Sequence, residues 1–160
     1  MLNITLIAIG RLKEDYLKAA CAEYTKRLGA FCKLQIVEIE EERLSENPSV
    51  AEIKAGLDSE SNRIFAKLPN NAEIISLCIE GSKISSPSLA QKLEQIGIQG
   101  KSNVSFIIGG SFGLSEKVKS ASHFRLSMSD MTFPHQLARV MLLEQIYRAM
   151  SIQAGGKYHK

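Results

Sequence analysis

Val104-Ser105-Phe106-Ile107-Ile108-Gly109-Gly110-Ser111-Phe112-Gly113-Leu114 decides how the rest of the chain is read. A short apolar run stops dead at a glycine-rich turn. A run of that length with no polar alternation reads as a strand buried on both faces, as parallel sheets require. Glycines that follow a strand and precede a helix let a ligand approach the main chain closely, or simply make a structural turn. The spacing is GGxxG, so the GxGxxG dinucleotide fingerprint is broken. No G-x-x-x-x-G-K-[ST] occurs either, which excludes a P-loop.

Outward from this stretch the same alternation recurs. Downstream, Ser115–Ala121 reads as a short helix and Phe124–Met128 as a strand that exits at Ser129-Asp130-Met131-Thr132-Phe133-Pro134-His135. Pro134 suits the start of a last helix to about Ile152, and the chain finishes in Gly155-Gly156-Lys157-Tyr158-His159-Lys160. Upstream, Leu2, Ile4, Leu6 and Ala8 alternate as a strand with one apolar face, and Glu14–Leu28 is an amphipathic helix. Leu34–Ile39 is a second strand running into an acidic loop, Glu40–Glu46, expected to be solvated. Ser49 and Glu52 form a capping-box signature for a helix with Ile53, Leu57, Ile64, Phe65 and Leu68 on its inner stripe. Ile74–Ile79 is a buried strand, and Ser86-Pro87 an N-cap and N1 pair opening a helix with Leu89, Leu93 and Ile96 inward. The alternating order predicts an α/β fold, a mainly parallel sheet with flanking helices, as a single domain over residues 1–160.

Composition narrows the class. Hydrophobic residues at 44% and charged residues at 23% are ordinary for a soluble globular protein. Cys21, Cys32 and Cys78 show neither disulfide-framework nor zinc spacing and suit a reducing cytosol. Arg11 and Lys13 follow the first apolar run rather than precede it, unlike a signal peptide, and no apolar stretch approaches the ~20 residues of a membrane span. The net charge of +3 is uneven. Residues 1–100 carry 12 Lys and Arg against 14 Asp and Glu, whereas residues 101–160 carry 8 against 3. Positive charge therefore gathers where the loops are, which points to an anionic partner such as RNA, or to a solvated basic face.

The loop Ser129–His135 leaves a strand C-terminus, the usual ligand crevice of an open α/β sheet. Its hydroxyls, carboxylate, apolar residues and imidazole suit a ligand with a flat base, a ribose and a charged end; a capping loop with Thr132 as N-cap explains part of it. His123, His135 and His159 have no metal-ligand spacing, so no metal is expected. The last helix carries apolar residues nearly all round, which buries it on more than one side, either inside one chain or against a second copy. Within it Glu144 and Arg148 are spaced to pair, and Arg139 and Arg148 could reach phosphates or join a polar network. Tyr158-His159-Lys160 offers a stacking surface, a proton acceptor and a phosphate contact in three residues, or a disordered end.

Taken together, Phe106–Gly110 with Gly113-Leu114, Leu126–Leu137, Glu144–Ala149 and Tyr158-His159-Lys160 resemble the RlmH (YbeA) methyltransferases of the SPOUT superfamily. Ile7-Ala8-Ile9-Gly10-Arg11-Leu12-Lys13 and Leu77–Gly81 match too, so the resemblance runs the whole length. It implies S-adenosylmethionine as methyl donor and N3 of a pseudouridine in 23S ribosomal RNA as acceptor, methylated on assembled ribosomes in the cytoplasm. It also implies a C-terminal trefoil knot and a homodimer. The family's cofactor positions fall on Leu77, Gly109, Met128, Ser129, Asp130, Met131, Thr132 and Phe133. Its tail motif falls on Tyr158, His159 and Lys160, with Lys157 standing where a proline often does. The resemblance makes His159 and Tyr158 the catalytic candidates, His159 for the imide proton and Tyr158 for positioning the base. Arg139, Arg148 and Lys160 are candidates for neutralising RNA phosphate or the imide anion. The rivals are a nicotinamide-dependent oxidoreductase using Gly109–Gly113 and Asp130, and a ribosome-binding factor without catalysis.

Overall fold

The computed structural model describes residues 1–160. Five strands and five helices alternate: β1 (Asn3–Ile9), α1 (Asp15–Leu28), β2 (Lys33–Ile39), α2 (Val50–Lys67), β3 (Glu73–Lys83), α3 (Ser86–Ile98), β4 (Asn103–Ile108), α4 (Glu116–Ala121), β5 (Phe124–Ser127) and α5 (His135–Gln153). The strands form one sheet in the order β2-β1-β4-β3-β5, and every pairing is parallel. This is the expected α/β architecture.

The pleat explains why β1 and β4 are apolar throughout. Ile4, Leu6, Ala8, Val104, Phe106 and Ile108 point to one face, where they pack with Cys21 and Leu28 of α1, Leu89, Leu93 and Ile96 of α3, and Leu142, Leu143 and Ile146 of α5. Ile7, Ile9 and Ile107 point to the other, against Ile64 of α2 and Val118 of α4. β1 is therefore buried on both sides, where its alternation had suggested one. Both faces of a parallel sheet must be covered, because the crossover helices that connect parallel strands lie there.

Several local expectations are corrected. The N-cap of α3 is Ser85, whose hydroxyl accepts from the Ser88 amide, so Ser86 and Pro87 lie inside the helix. β3 runs on to Lys83 with an irregularity between Leu77 and Ser82. The acidic segment 40–46 is largely exposed, as expected, but is also tied to α2. Arg63 donates to the Glu40 carbonyl and the Glu42 carboxylate, and buried Glu60 accepts from the Glu42 amide at 2.9 Å. Leu44 lies so near Gly56 that a Cβ there would meet it at 3.1 Å. That covering turns Gly56, Glu60 and Ser61 inward and leaves Phe65 exposed, so α2 buries a small-and-polar face instead of its full apolar stripe. Ser49 caps the helix as expected, but Glu52 accepts from Ser45 instead of closing the box.

Candidate functional site

A cleft of about 740 Å³ opens where β3, β4 and β5 end. Its size is that of a site for a small ligand. Three chain segments and the first turn of α5 build it.

The first segment is Leu77–Glu80 of β3. β4 pairs with β3 only as far as Ser76↔Ile107, and the ladder to β5 is interrupted between Leu77 and Ser82. Regular pairing of β3 thus breaks off after Leu77, where the strand lines the cleft. Gly81 permits the crossing, since a Cβ there would lie 2.6 Å from the Arg125 carbonyl oxygen.

The second segment is the glycine turn, Gly109–Leu114. A Cβ on Gly109 would sit 2.4 Å from the carbonyl oxygen of Gly113, and Gly113 itself holds φ at +79°. Only glycine allows this closure at both ends. The two readings of the turn are therefore compatible: it is a tight structural turn, and it lines the cleft.

The third is Ser127–Pro134 after β5. Ser127 donates to the Ser129 carbonyl, and the Ser129 hydroxyl accepts from the Met131 amide, so the loop is held by its own hydroxyls. Met128, Ser129, Met131, Thr132 and Phe133 line the cleft with Leu77 and Gly109. Asp130 does not. Its carboxylate turns away to Lys83 at 2.5 Å and is largely exposed, which corrects its expected place as a side chain in the pocket.

Met131 was among the expected cofactor positions, whereas Ile79, Glu80, Phe112 and Lys119 were not. Ile79, Phe112 and Met131 leave an apolar rim 50–74% exposed. Lys119 of α4 reaches Glu80 at 2.6 Å, and this hydrogen bond holds the Glu80 carboxyl below its usual range. The usable signal was Gly81, which ends an apolar run; nothing in the sequence marks half-buried Lys119. The Cys78 thiol at the cleft wall is pushed up by burial, so it stays protonated and is no nucleophile.

The remaining candidates lie elsewhere. Arg139 is 3% exposed, bonded to Glu38 at 2.7 Å and to the Gly10 carbonyl at 3.1 Å. The expectation that it contacts phosphate is corrected: it is an internal strut between α5 and the ends of β1 and β2. Arg148, Tyr158 and His159 do come together. Glu144 accepts from Arg148 Nη2 at 2.5 Å and Nε at 2.9 Å, and from the Tyr158 hydroxyl at 3.1 Å. Arg148 Nη1 lies 3.3 Å from His159 Nδ1, and the Tyr158 ring stacks edge-on to Tyr147 at 4.8 Å. Burial, with hydrogen bonds to Tyr24 and Glu144, pushes the Tyr158 phenol up to about 12. Lys160 is exposed. Ala138 is the last residue of α5 to line the cleft and Arg148 is 10 residues further along, so this cluster sits about 15 Å from the cleft at ~1.5 Å rise per residue.

A parallel sheet, a ligand-sized cleft at three strand exits and a cationic tail are thus in place, and comparison with known proteins supplies the lineage. The family model described as "Predicted SPOUT methyltransferase" matches residues 2–159. The chain belongs to the SPOUT methyltransferase family. A ribosomal RNA large subunit methyltransferase H from Clostridium botulinum is 50% identical over 99% of this chain and 100% of its own length. Proteins of the same name from Streptococcus thermophilus and Clostridioides difficile are 49% and 45% identical with the same coverage. Among solved structures, a probable methyltransferase from Bordetella pertussis superposes with TM-score 0.55 at 13% identity, over 92% of this chain and 95% of that one. A probable methylase family protein from Haemophilus influenzae gives 0.53 at 13% identity, over 99% and 70%. These two support the fold alone. No helix of this SPOUT member is long and apolar enough to cross a membrane, and no cluster of side chains could hold a metal ion.

Proposed function

We propose that this SPOUT protein is an S-adenosylmethionine-dependent methyltransferase that modifies N3 of a pseudouridine in 23S ribosomal RNA, acting on assembled ribosomes in the cytoplasm. The observation that carries the reading is the convergence of Leu77–Glu80, Gly109–Leu114 and Met128–Phe133 on one cleft, in a chain half identical end to end to ribosomal RNA large subunit methyltransferases H.

The residues present fit the donor. Leu77, Ile79, Leu114, Leu126 and Met128 offer apolar walls for a base, the main chain of 78–81, where the ladder to β5 is irregular, can offer hydrogen bonds to its edge, and the Ser127–Thr132 hydroxyls suit a ribose. Bound there, S-adenosylmethionine supplies an electrophilic methyl group that needs no metal. The glycine turn and the 128–133 loop hold it, and the apolar rim keeps water from it. The acceptor is held by the tail. Tyr158 and His159 meet the nucleobase, and Lys160 with Lys157 contacts phosphate.

The tail's distance from the cleft of its own chain supports a homodimer in which each tail completes the partner's site. The unpaired apolar residues at the cleft mouth and Leu137 on α5 support the same reading, because a second copy would cover them. The nicotinamide alternative lacks its acid, since Asp130 is paired with Lys83 outside the cleft. Labelled methyl transfer to ribosomes lacking the modification, read by nucleoside mass spectrometry, tests the proposal. Methylated pseudouridine is expected; salt-sensitive ribosome binding with no label incorporated would instead indicate a binding factor.

A further inference from the structure

We infer that His159 works as a hydrogen-bond donor through Nε2–H, its tautomer set by Glu144 and Arg148, and does not take the imide proton. The inference rests on the proposed function only in assuming that the tail meets the nucleobase.

Arginine has five N–H donors and no acceptor. Arg148 Nη1 lies 3.3 Å from His159 Nδ1, so that ring nitrogen must present its lone pair. In a neutral imidazole the proton then resides on Nε2. Arg148 is not free to turn away. Its Nε and Nη2 are both engaged by one oxygen of Glu144, whose other oxygen accepts from Gln145 Nε2. Gln145 is fixed in turn by the Ser86 hydroxyl at 2.5 Å. A chain of four side chains on two helices thus ends on one nitrogen of His159.

The rest of the tail has no proton acceptor either. The Tyr158 hydroxyl spends its proton on Glu144, under the Arg148 guanidinium 4.6 Å from the ring centroid. Arg148 and Lys160 can only donate. The groups around the imidazole are Arg148 and Glu144 on α5, Tyr158 beside it, and Tyr24 of α1 hydrogen-bonded to Tyr158. This is an arrangement for stabilising an anion, in the manner of an oxyanion hole, rather than for abstracting a proton. The imide N–H proton of the target base passes to solvent, and Nε2–H of His159 holds a carbonyl oxygen on which the charge spreads. The nitrogen pair left behind forms the new N–C bond, and the electrons of the donor's C–S bond stay on sulfur. Arg148 and Glu144 are positioning residues.

Two measurements on the full-length protein test the assignment. Long-range ¹H–¹⁵N correlation spectra of histidine-labelled protein at pH 8, with His159→Gln identifying the signal, should show the Nε2–H tautomer. Arg148→Met should release a mixture of both. Single-turnover methyl transfer to unmodified ribosomes should rise about tenfold per unit from pH 7 to 8.5, above the ordinary imidazole pKa of ~6.5. His159→Gln, which keeps an N–H but cannot take a proton, should stay within about tenfold of the native enzyme. His159→Leu should lose about 10²- to 10³-fold, as for removal of one oxyanion donor. An Nδ1–H tautomer, a profile flat from pH 7 to 8.5, or a glutamine variant no better than leucine would each overturn the assignment. A native enzyme that methylates no ribosome would overturn the proposed function instead, while the spectra still decide the tautomer.

Discussion

Gly109→Ala probes the cleft with a single methyl group. An ideal Cβ at this position lies 2.4 Å from the Gly113 carbonyl oxygen and 2.5 Å from its carbon. Both are main-chain atoms, so no rotamer change relieves the clash. Ordinary contact needs ~3.5 Å, so the turn must open by about 1 Å. Overpacking of this kind costs about 1–3 kcal/mol. The displaced turn is a wall of the cleft, and a bound donor needs it closed, so the cost appears in binding. At 1.4 kcal/mol per decade, the dissociation constant for S-adenosylmethionine should rise about 5- to 150-fold. Titration calorimetry reads this directly, with Gly97→Ala as control. Gly97 lies near the end of α3, and a methyl group added there would have no neighbour within 4 Å, so its variant should bind like the native chain and melt no lower. A folded Gly109→Ala protein with affinity within about twofold of native would refute the placement of the donor against this turn.

Other expectations follow from the same geometry. Arg139→Met removes the bonds to the Gly10 carbonyl and to Glu38, whose carboxylate is 40% exposed and can be solvated, and should cost about 1–3 kcal/mol in urea unfolding, with the salt dependence of ribosome binding unchanged. Deleting Tyr158–Lys160 should abolish methyl transfer while donor affinity stays within about threefold, less than about 1 kcal/mol. Burial raises the Glu60 carboxyl above its ordinary 4.5, so the folded chain binds this proton more tightly than the unfolded one. Stability from this group is then present below pH 4.5 and lost as pH rises through the folded value. Glu60→Gln, which still accepts from the Glu42 amide, should remove that loss; urea midpoints from pH 4 to 8 that track the native curve would contradict it.

Much of this was legible because it depends on local periodicity. A run such as Val104–Ile108 cannot alternate and remain half-exposed, so the parallel sheet followed from it, and the glycine turn marked the cleft without any tertiary information. What escaped depends on contacts far apart in sequence. Glu40–Glu46 reads as a solvated loop until Arg63 and Glu60, some 20 residues later, are seen to hold it. Arg139 reads as a surface charge on a helix until Glu38, 101 residues earlier, is found opposite it. Asp130 has the spacing of a ribose-binding acid, but Lys83 across the loop is the stronger attraction. In each case a charged side chain was assigned to solvent or a ligand when its partner lay inside the fold.

The proposed homodimer, in which two chains build each site, leads to a last prediction. Consider Gly109→Val, whose branched side chain worsens the clash with Gly113, mixed with the chain lacking Tyr158–Lys160. Each homodimer has two defective sites, for opposite reasons. In a mixed dimer the intact cleft of the shortened chain faces the intact tail of the valine variant, while the second site has neither. Random exchange makes half the dimers mixed with one working site of two, so about a quarter of native methyl transfer should return. If each chain served its own cleft, no chain in the mixture would be complete and nothing would return. Mixing the purified variants after mild denaturation and refolding, with ribosome methylation as the readout, separates the two cases. Failure to recover activity from dimers shown by mass spectrometry to be mixed would mean that the tail crosses the roughly 15 Å along its own α5.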